Sequence, residues 1–135
     1  MGIEVREANV RTTAEIESTI AQMDDHVGLM VAADQFVFSN RRLIIDLAAR
    51  HRVPAIYPWA NYVREGGLMA YTVYSPAQWQ DAADYVDRIL RGTNVVDLPI
   101  QQPSKFNLLI NLKTAAALGI TVPREVLVLA REVIE

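Results

Sequence analysis

The first 57 residues alternate between short apolar runs and segments with helical spacing, and this alternation constrains the fold more than any other feature. Residues 3–10 show an imperfect two-residue alternation that favours a strand, and residues 27–33 form an apolar run typical of a strand covered on both faces. Residues 53–57 form a third strand, closed by Pro58. Parallel strands need helical returns, so the pattern predicts an α/β fold with a doubly wound, mostly parallel sheet and flanking helices.

The segments between these predicted strands carry helix signals. Thr12 and Glu15 have the spacing of a capping box, so we expect a helix to begin after Thr12. Residues 39–51 place several apolar side chains on one stripe and predict a second helix. His51 lies at its end beside two arginines, where positive charge favours a helix C-terminus. The expected order through residue 57 is β-α-β-α-β.

Proline and glycine punctuate the second half of the chain. Ser75 and Pro76 have the residue types of a helix start, an apolar stripe follows them, and Gly92 supplies the stop. Residues 94–104 contain two prolines and predict an extended linker. We therefore expect one long helix followed by irregular chain.

The C-terminal part gives three further predictions. Residues 106–110 are strand-like, and Asn111 is a suitable cap for a short helix that ends at Gly119. Pro123 opens a last segment, in which Val126, Leu129 and Val133 have the spacing of a helix face. The chain is thus expected to end in a helix.

Composition excludes several classes of protein. The 135 residues are 51% hydrophobic, which at this length predicts one compact domain and not a disordered chain. Thirteen Lys and Arg face 16 Asp and Glu, so no nucleic-acid partner is expected. No apolar run is long enough for a membrane span. Residues 1–6 lack the apolar core of a signal peptide, so a chain of these residues alone is expected to remain in the cytoplasm.

The sequence offers few reactive groups. The chain has no cysteine, which excludes disulfides, thiolate metal sites and cysteine nucleophiles. His26 and His51 lack metal-ligand spacing, and no nucleophile elbow is present. The pair Gly66–Gly67 has no phosphate-loop context and predicts a tight turn that needs a positive φ. We expect no catalytic residue, no metal site and no cofactor, and an enzyme is the weakest of the functions considered.

Two groups of residues are candidates for ligand contacts. Asp34 follows an apolar strand at the sheet edge where α/β proteins bind ligands, and its carboxylate could accept hydrogen bonds from an amine, with Phe36 as a packing surface. A cap on the next helix, or an Asx turn, explains Asp34 equally well. Five aromatic residues lie within residues 57–74, and their density indicates core packing or else a pocket or interface; they are Tyr57, Trp59, Tyr62, Tyr71 and Tyr74.

Five segments carry a family resemblance. Their sequences and positions are VPAIY at 53–57, VREGGLMAY at 63–71, ADYVDRILRG at 83–92, DLPIQQPSKF at 97–106 and INLKTAAALG at 110–119. In this order and spacing the chain resembles, from about residue 2 to residue 135, the ABC transporter substrate-binding proteins that include tryptophan and tyrosine uptake components.

The resemblance implies the fold of a type I periplasmic binding protein, in which two α/β lobes close on a small ligand. Members of the family are considerably longer, and the chain resembles their C-terminal part. Residues 1–135 would form a single C-terminal-type lobe, while 66–106 would supply crossing segments and a helix that belong to the other, incomplete lobe. The resemblance also implies an ABC permease as partner and a periplasmic or lipid-anchored location.

Two functions are therefore expected as alternatives. The first is the solute-binding component of an ABC transporter, or its C-terminal lobe, which binds an aromatic or other hydrophobic amino acid without chemistry. Its predicted ligand-binding residues are Asp34, Phe36, Tyr57 and Tyr71. The second is a truncated, non-transporting derivative that acts as a homo-oligomeric interaction module, because the predicted helix 75–92 would lack the lobe on which it packs. Mutual covering of this helix predicts a homodimer.

Overall fold

A computed structural model of the chain shows a mixed five-stranded sheet with helices packed against it. The structure describes residues 2–24 and 26–135, with the backbone alone at positions 75 and 77. The strands lie in the order β1-β2-β3-β4-β5; they are Leu29–Met30, Ala55–Tyr57, Met69–Val73, Phe106–Asn111 and Ala130–Ile134. The first three strands run parallel, β4 is antiparallel to β3, and β5 is parallel to β4. The expected α/β fold is confirmed.

The helices agree with most of the local signals. They are α1 Thr13–Ala21, α2 Gln35–Ser39, α3 Arg41–Arg50, α4 Ala60–Arg64, α5 Ser75–Leu90, α6 Leu112–Ala117 and α7 Arg124–Leu129, with a 3-10 turn at Val95–Asp97. The predicted capping box is present, since the Glu15 N–H donates to Thr12 Oγ1 over 3.2 Å and the Thr12 N–H donates to Glu15 Oε2 over 3.0 Å. Asn111 caps α6 as expected, because its Oδ1 accepts from the Thr114 N–H over 3.1 Å.

Three strand and helix predictions are wrong. Residues 3–10 form no strand, because no other strand pairs with them, and all of them except Val10 are exposed. The run 27–33 gives only the two-residue β1, and Met30 is 73% exposed, so this strand is not covered on both faces. The last predicted helix ends at Leu129, and the chain continues as β5 because residues 130–134 pair with β4.

The core lies between one face of the sheet and helices α1, α3 and α4. Strand register places Tyr57 opposite Ala70, and Ala70 opposite Leu109, so these three side chains share the covered face. The core consists of Ile16, Ile20, Val31, Ile44, Ile45, Leu47, Ala48, Val53, Ala55, Tyr57, Tyr62, Val63, Ala70 and Leu109. This cluster covers one face of the sheet, and Ile110, which points to the other face, is also fully buried.

Helix α5 stands apart from this core. None of its described side chains is buried, and Trp79 and Leu90 are 75% and 81% exposed. The segment 94–104 runs beside the helix, since the Tyr85 hydroxyl donates to the Pro99 carbonyl oxygen. The helix predicted over 75–92 is thus present, but its apolar stripe faces solvent.

Two neighbouring glycines precede β3, and each is needed for a different structural reason. Gly66 has a φ of +113°, which confirms the predicted turn. Gly67 is required for space, because a Cβ there would lie 2.6 Å from Tyr57 Cε2 and 2.9 Å from the Tyr62 carbonyl oxygen. The backbone of Gly67 therefore lies directly against the core.

Replacing Gly67 by alanine should destabilise the fold by about 2 kcal/mol, because the new methyl group meets a buried ring and a backbone carbonyl that cannot both move away. Gly28→Ala is the control, since a Cβ at position 28 meets only the Pro54 carbonyl oxygen at an ordinary 3.6 Å. Urea denaturation of both variants measures the difference in free energy of unfolding. Equal midpoints for Gly67→Ala and the unsubstituted chain would contradict the packing described here.

Candidate functional site

A cleft of about 600 Å³ opens at the edge of the sheet where β3 ends and β4 and β5 begin. Its lining comes from α2, α4, the β3–α5 connection and the first residues of β4 and β5; it comprises Gln35, Phe38, Trp59, Ala60, Asn61, Arg64, Thr72, Val73, Tyr74, Pro76, Asn107, Leu109, Arg131 and Glu132. The carboxyl end of parallel strands is where open α/β sheets bind ligands. Segments 34–38 and 57–62, singled out from the sequence, both contribute side chains to it.

An aromatic cluster forms one wall of the cleft. Phe38 meets Trp59 edge to face, with ring centroids 5.0 Å apart and an interplanar angle of 86°. Trp59 also lies 6.3 Å from Tyr62, which in turn stacks on Tyr57 at 4.7 Å. The four rings are thus in contact one after another from the core to the cleft. Packing against the buried tyrosines therefore holds Phe38 and Trp59, the two rings that line the cleft, in position.

Arg41 packs on the ring of Phe38 and helps to hold it in place. Its guanidinium lies 4.7 Å from the centre of the Phe38 ring, and its Nε donates to Glu65 Oε1 over 2.9 Å. Arg42 donates to the other oxygen of Glu65 over 3.3 Å. The hydrogen bond from Arg41 is the main cause that lowers the pKa of Glu65 below its usual value. These contacts join α2 and α3 to the end of α4, on which the cleft is built.

The opposite wall carries a bidentate ion pair. Arg64 Nε donates to Glu132 Oε1 over 3.1 Å, and its Nη2 donates to Glu132 Oε2 over 2.7 Å. This hydrogen bonding lowers the pKa of Glu132 and raises that of Arg64, so both side chains are charged at neutral pH. The pair ties the end of α4 to β5 across the cleft.

Arg131 stands at the rim of the same wall. Its guanidinium carbon lies 4.8 Å from the centre of the Tyr74 ring. Within the described residues, Arg131 is part of no salt bridge. The cleft therefore combines apolar rings on one side with a cation on the other.

Asp34 and Phe36, two of the residues predicted to bind ligand, lie beside the cleft and not in its lining. Asp34 caps α2, since its Oδ1 accepts from the backbone N–H groups of Phe36 over 2.8 Å and Val37 over 3.1 Å. The alternative of a helix cap is thus observed for Asp34. Phe36 is half-buried and packs against the core.

Tyr57 and Tyr71, the other two, lie on opposite faces of the sheet. Tyr57 is 2% exposed, and burial raises the pKa of its hydroxyl. Tyr71 is 54% exposed and stacks on Phe106 at 5.1 Å, away from the lining residues of the cleft. The structure does not bring the four residues together, and their role as ligand contacts stays a prediction.

The sequence places Trp59 in a group of five neighbouring aromatic residues, but it does not show that Trp59 lines a cleft while Tyr57 and Tyr62 are buried in the core. The separation depends on α4, which begins after Trp59 and turns Tyr62 inward. Arg64, Arg131 and Glu132 were missed entirely. No local signal could have identified them, because residues 64 and 132 meet only through the folding of distant segments and β5 was expected to be helical.

The remaining polar groups give no reactive constellation. In the part of the chain that the structure describes, no three His, Asp or Glu side chains lie together as a metal site would require. The Tyr62 hydroxyl is buried without a hydrogen-bond partner among the described residues, and burial raises its pKa to about 12. None of the helices within 2–24 and 26–135 has the length and hydrophobicity of a membrane span.

A mixed α/β sheet with an open cleft at its strand ends places the chain in the class of open-sheet α/β proteins. Within that class, the family model for ABC transporter substrate-binding proteins matches residues 1–134. The chain belongs to this family, which is one of binding proteins and not of enzymes. A search of curated proteins gives no match.

Solved structures with the same fold cover this chain almost completely. An ABC domain from Streptococcus pneumoniae in complex with L-Trp has a TM-score of 0.75, 23% identity, and coverage of 90% of this chain and 41% of its own. A conserved domain protein from Vibrio cholerae has a TM-score of 0.74 and 26% identity, and the match covers 90% of this chain and 41% of that protein. The ligand-free, open structure of a substrate-binding protein with adhesive properties from Clostridium difficile has a TM-score of 0.71 and 20% identity. The match covers 93% of this chain and 42% of that protein. The chain thus spans about two fifths of each.

Replacing Glu132 by glutamine should lower the free energy of unfolding at pH 7 by no more than about 1 kcal/mol, because solvent screens a half-exposed pair. The folded pKa of Glu132 is lowered from 4.5, so the contribution is present above pH 4.5 and is lost as the pH falls through the folded pKa. Urea denaturation between pH 3 and 7 measures it. Glu125→Gln is the control, and a difference for Glu132→Gln that persists undiminished at pH 3 would argue against the pair.

Proposed function

We propose that the chain is the solute-binding component of an ABC transporter, or one lobe of it, and that its cleft holds a small molecule with a flat apolar body. Membership of the family supports the transport role. The aromatic wall of Phe38 and Trp59 is the observation that carries the ligand class, because offset and edge-to-face rings bind planar apolar groups. An aromatic or other hydrophobic amino acid is the proposed solute, and a related structure is described as a complex with L-Trp.

Binding in this cleft involves no chemistry. The solute would exchange water for contact with the rings, and the polar side chains Asn61 and Asn107 would orient it. An open cleft encloses only part of a ligand, so the affinity of the chain alone should be modest. In a longer protein a second lobe would close the cleft, with 66–106 supplying crossing segments and a helix that belong to that lobe, and a permease would be the partner. We also propose a periplasmic or lipid-anchored location, and membership of the family is the only support for it.

Trp59→Ala should lower the affinity for L-tryptophan about tenfold, because it removes one of the two rings that line the cleft. Val128→Ala is the control, since Val128 is 77% exposed on α7 and lies outside the cleft. Calorimetric titration with tryptophan, tyrosine, phenylalanine and leucine gives both the affinities and the preference for aromatic side chains. Equal losses in the two variants, or no heat with any of the four amino acids, would argue against this function.

A second candidate function, a homo-oligomeric interaction module, is favoured by one observation. Helix α5 exposes an apolar stripe of Trp79, Val86 and Leu90 that no other described part of the chain covers. A second copy presenting the same stripe would cover it and form a two-fold symmetric dimer. A chain without a transport role would be stabilised in this way.

Light scattering should therefore give the mass of two 15.1 kDa chains. Leu90→Asp should shift it to the monomer, because a charge within the stripe that the dimer covers is costly. Leu129→Asp is the control, as Leu129 is similarly exposed but lies on α7. A monomer of 15.1 kDa for the unsubstituted chain, at concentrations well above those of the titrations, would contradict the dimer.

A further inference from the structure

The charges that line the cleft do not balance. Its charged lining residues are Arg64, Arg131 and Glu132. Arg64 and Glu132 neutralise each other through two hydrogen bonds of 3.1 and 2.7 Å. Arg131 has no carboxylate partner within the described residues, so the cleft carries one uncompensated positive charge.

The contact between Arg131 and Tyr74 leaves the guanidinium ready for a ligand. The Tyr74 ring lies 4.8 Å from the guanidinium carbon, an arrangement that places the cation over the ring. A guanidinium carries five N–H donors, so a contact with one aromatic ring leaves donors free for a ligand. Their fork matches the two oxygens of a carboxylate. Tyr74 would thus hold Arg131 in place while its donors stay available.

The cleft offers no comparable partner for an ammonium group. Glu132 is committed to Arg64, and Asp34 lies outside the lining with Oδ1 accepting from two backbone N–H groups. The remaining polar lining is neutral and comes from Gln35, Asn61, Thr72 and Asn107. A ligand amine would lose water without gaining a carboxylate.

We infer that the cleft selects an organic anion, and that Arg131 binds the carboxylate of a ligand whose flat apolar body lies against Trp59 and Phe38. This inference rests on the proposed function: it keeps a small ligand with a flat apolar body, and it favours an organic acid over the amino acid proposed above. An aryl-substituted carboxylic acid without an α-amine fits the cleft better than the corresponding amino acid, and the corresponding amine fits it worst.

Three probes with the same ring test the inference. Indole-3-propionate is an anion, L-tryptophan a zwitterion and tryptamine a cation, so their affinities by calorimetric titration differ through charge. We expect the order acid, amino acid, amine, with about tenfold between the first and the last. Added salt should weaken binding of the acid most.

Variants at two arginines separate a local effect from a change in total charge. Arg131→Gln should weaken indole-3-propionate about tenfold and leave tryptamine unchanged or slightly tighter. Arg131→Lys keeps the charge but loses the planar fork, so its affinity for indole-3-propionate should lie between those of Arg131→Gln and the unsubstituted chain. Arg91→Gln makes the same charge change on α5, where Arg91 pairs with Asp87, and should affect none of the probes. Thermal melts of all variants check that the fold is intact.

The outcomes distinguish this inference from the function on which it rests. If tryptophan or tryptamine binds more tightly than indole-3-propionate, or if Arg131→Gln and Arg91→Gln behave alike, anion selection by Arg131 is overturned while solute binding stands. If none of the three probes binds to the folded chain, the proposed ligand class itself fails, and the inference with it.

Discussion

The close approach of Gly67 to Tyr57 is the contact on which the rest of the structure depends. Because position 67 has no Cβ, the chain can enter β3 directly over the Tyr57 ring, and α4 can lie flat enough for Tyr62 to stack on that ring at 4.7 Å. Asn111, the buried polar residue of the core region, secures the arrangement from β4. Its Nδ2 donates to the Val63 carbonyl oxygen over 3.2 Å, and its backbone N–H donates to the Leu68 carbonyl oxygen over 2.9 Å.

The geometry of the cleft follows from this packing. Helix α4 has only five residues, too few to be stable alone, so its position comes from the core and not from helix propensity. Trp59 stands at its beginning and Arg64 at its end, which means that both walls of the cleft are set by how α4 rests on Tyr57. A wall held by buried rings loses little freedom when a ligand binds, and this favours affinity.

Interactions within a few residues of one another could be predicted, and those between distant segments could not. The capping box at Thr12, the cap by Asn111 and the helix over 75–90 depend on neighbouring residues, and all three are present. Val126, Leu129 and Val133 have helical spacing, yet residues 130–134 form β5, because the strand depends on its pairing with β4. Tyr57 illustrates the same limit at the site, since only the register opposite Ala70 reveals that its ring faces the helices.

The exposed helix and the open cleft are parts of one surface. Tyr74 and Pro76, at the start of α5, also line the cleft, so a partner that covers this end of α5 would border a bound ligand as well. A second copy of the chain and the second lobe of a longer protein would both do this. By linkage, a partner that adds contacts to the ligand tightens its binding, and the ligand tightens the binding of the partner by the same factor. The unpaired charge of Arg131 at that rim would then be felt most strongly in the covered state, where less solvent screens it.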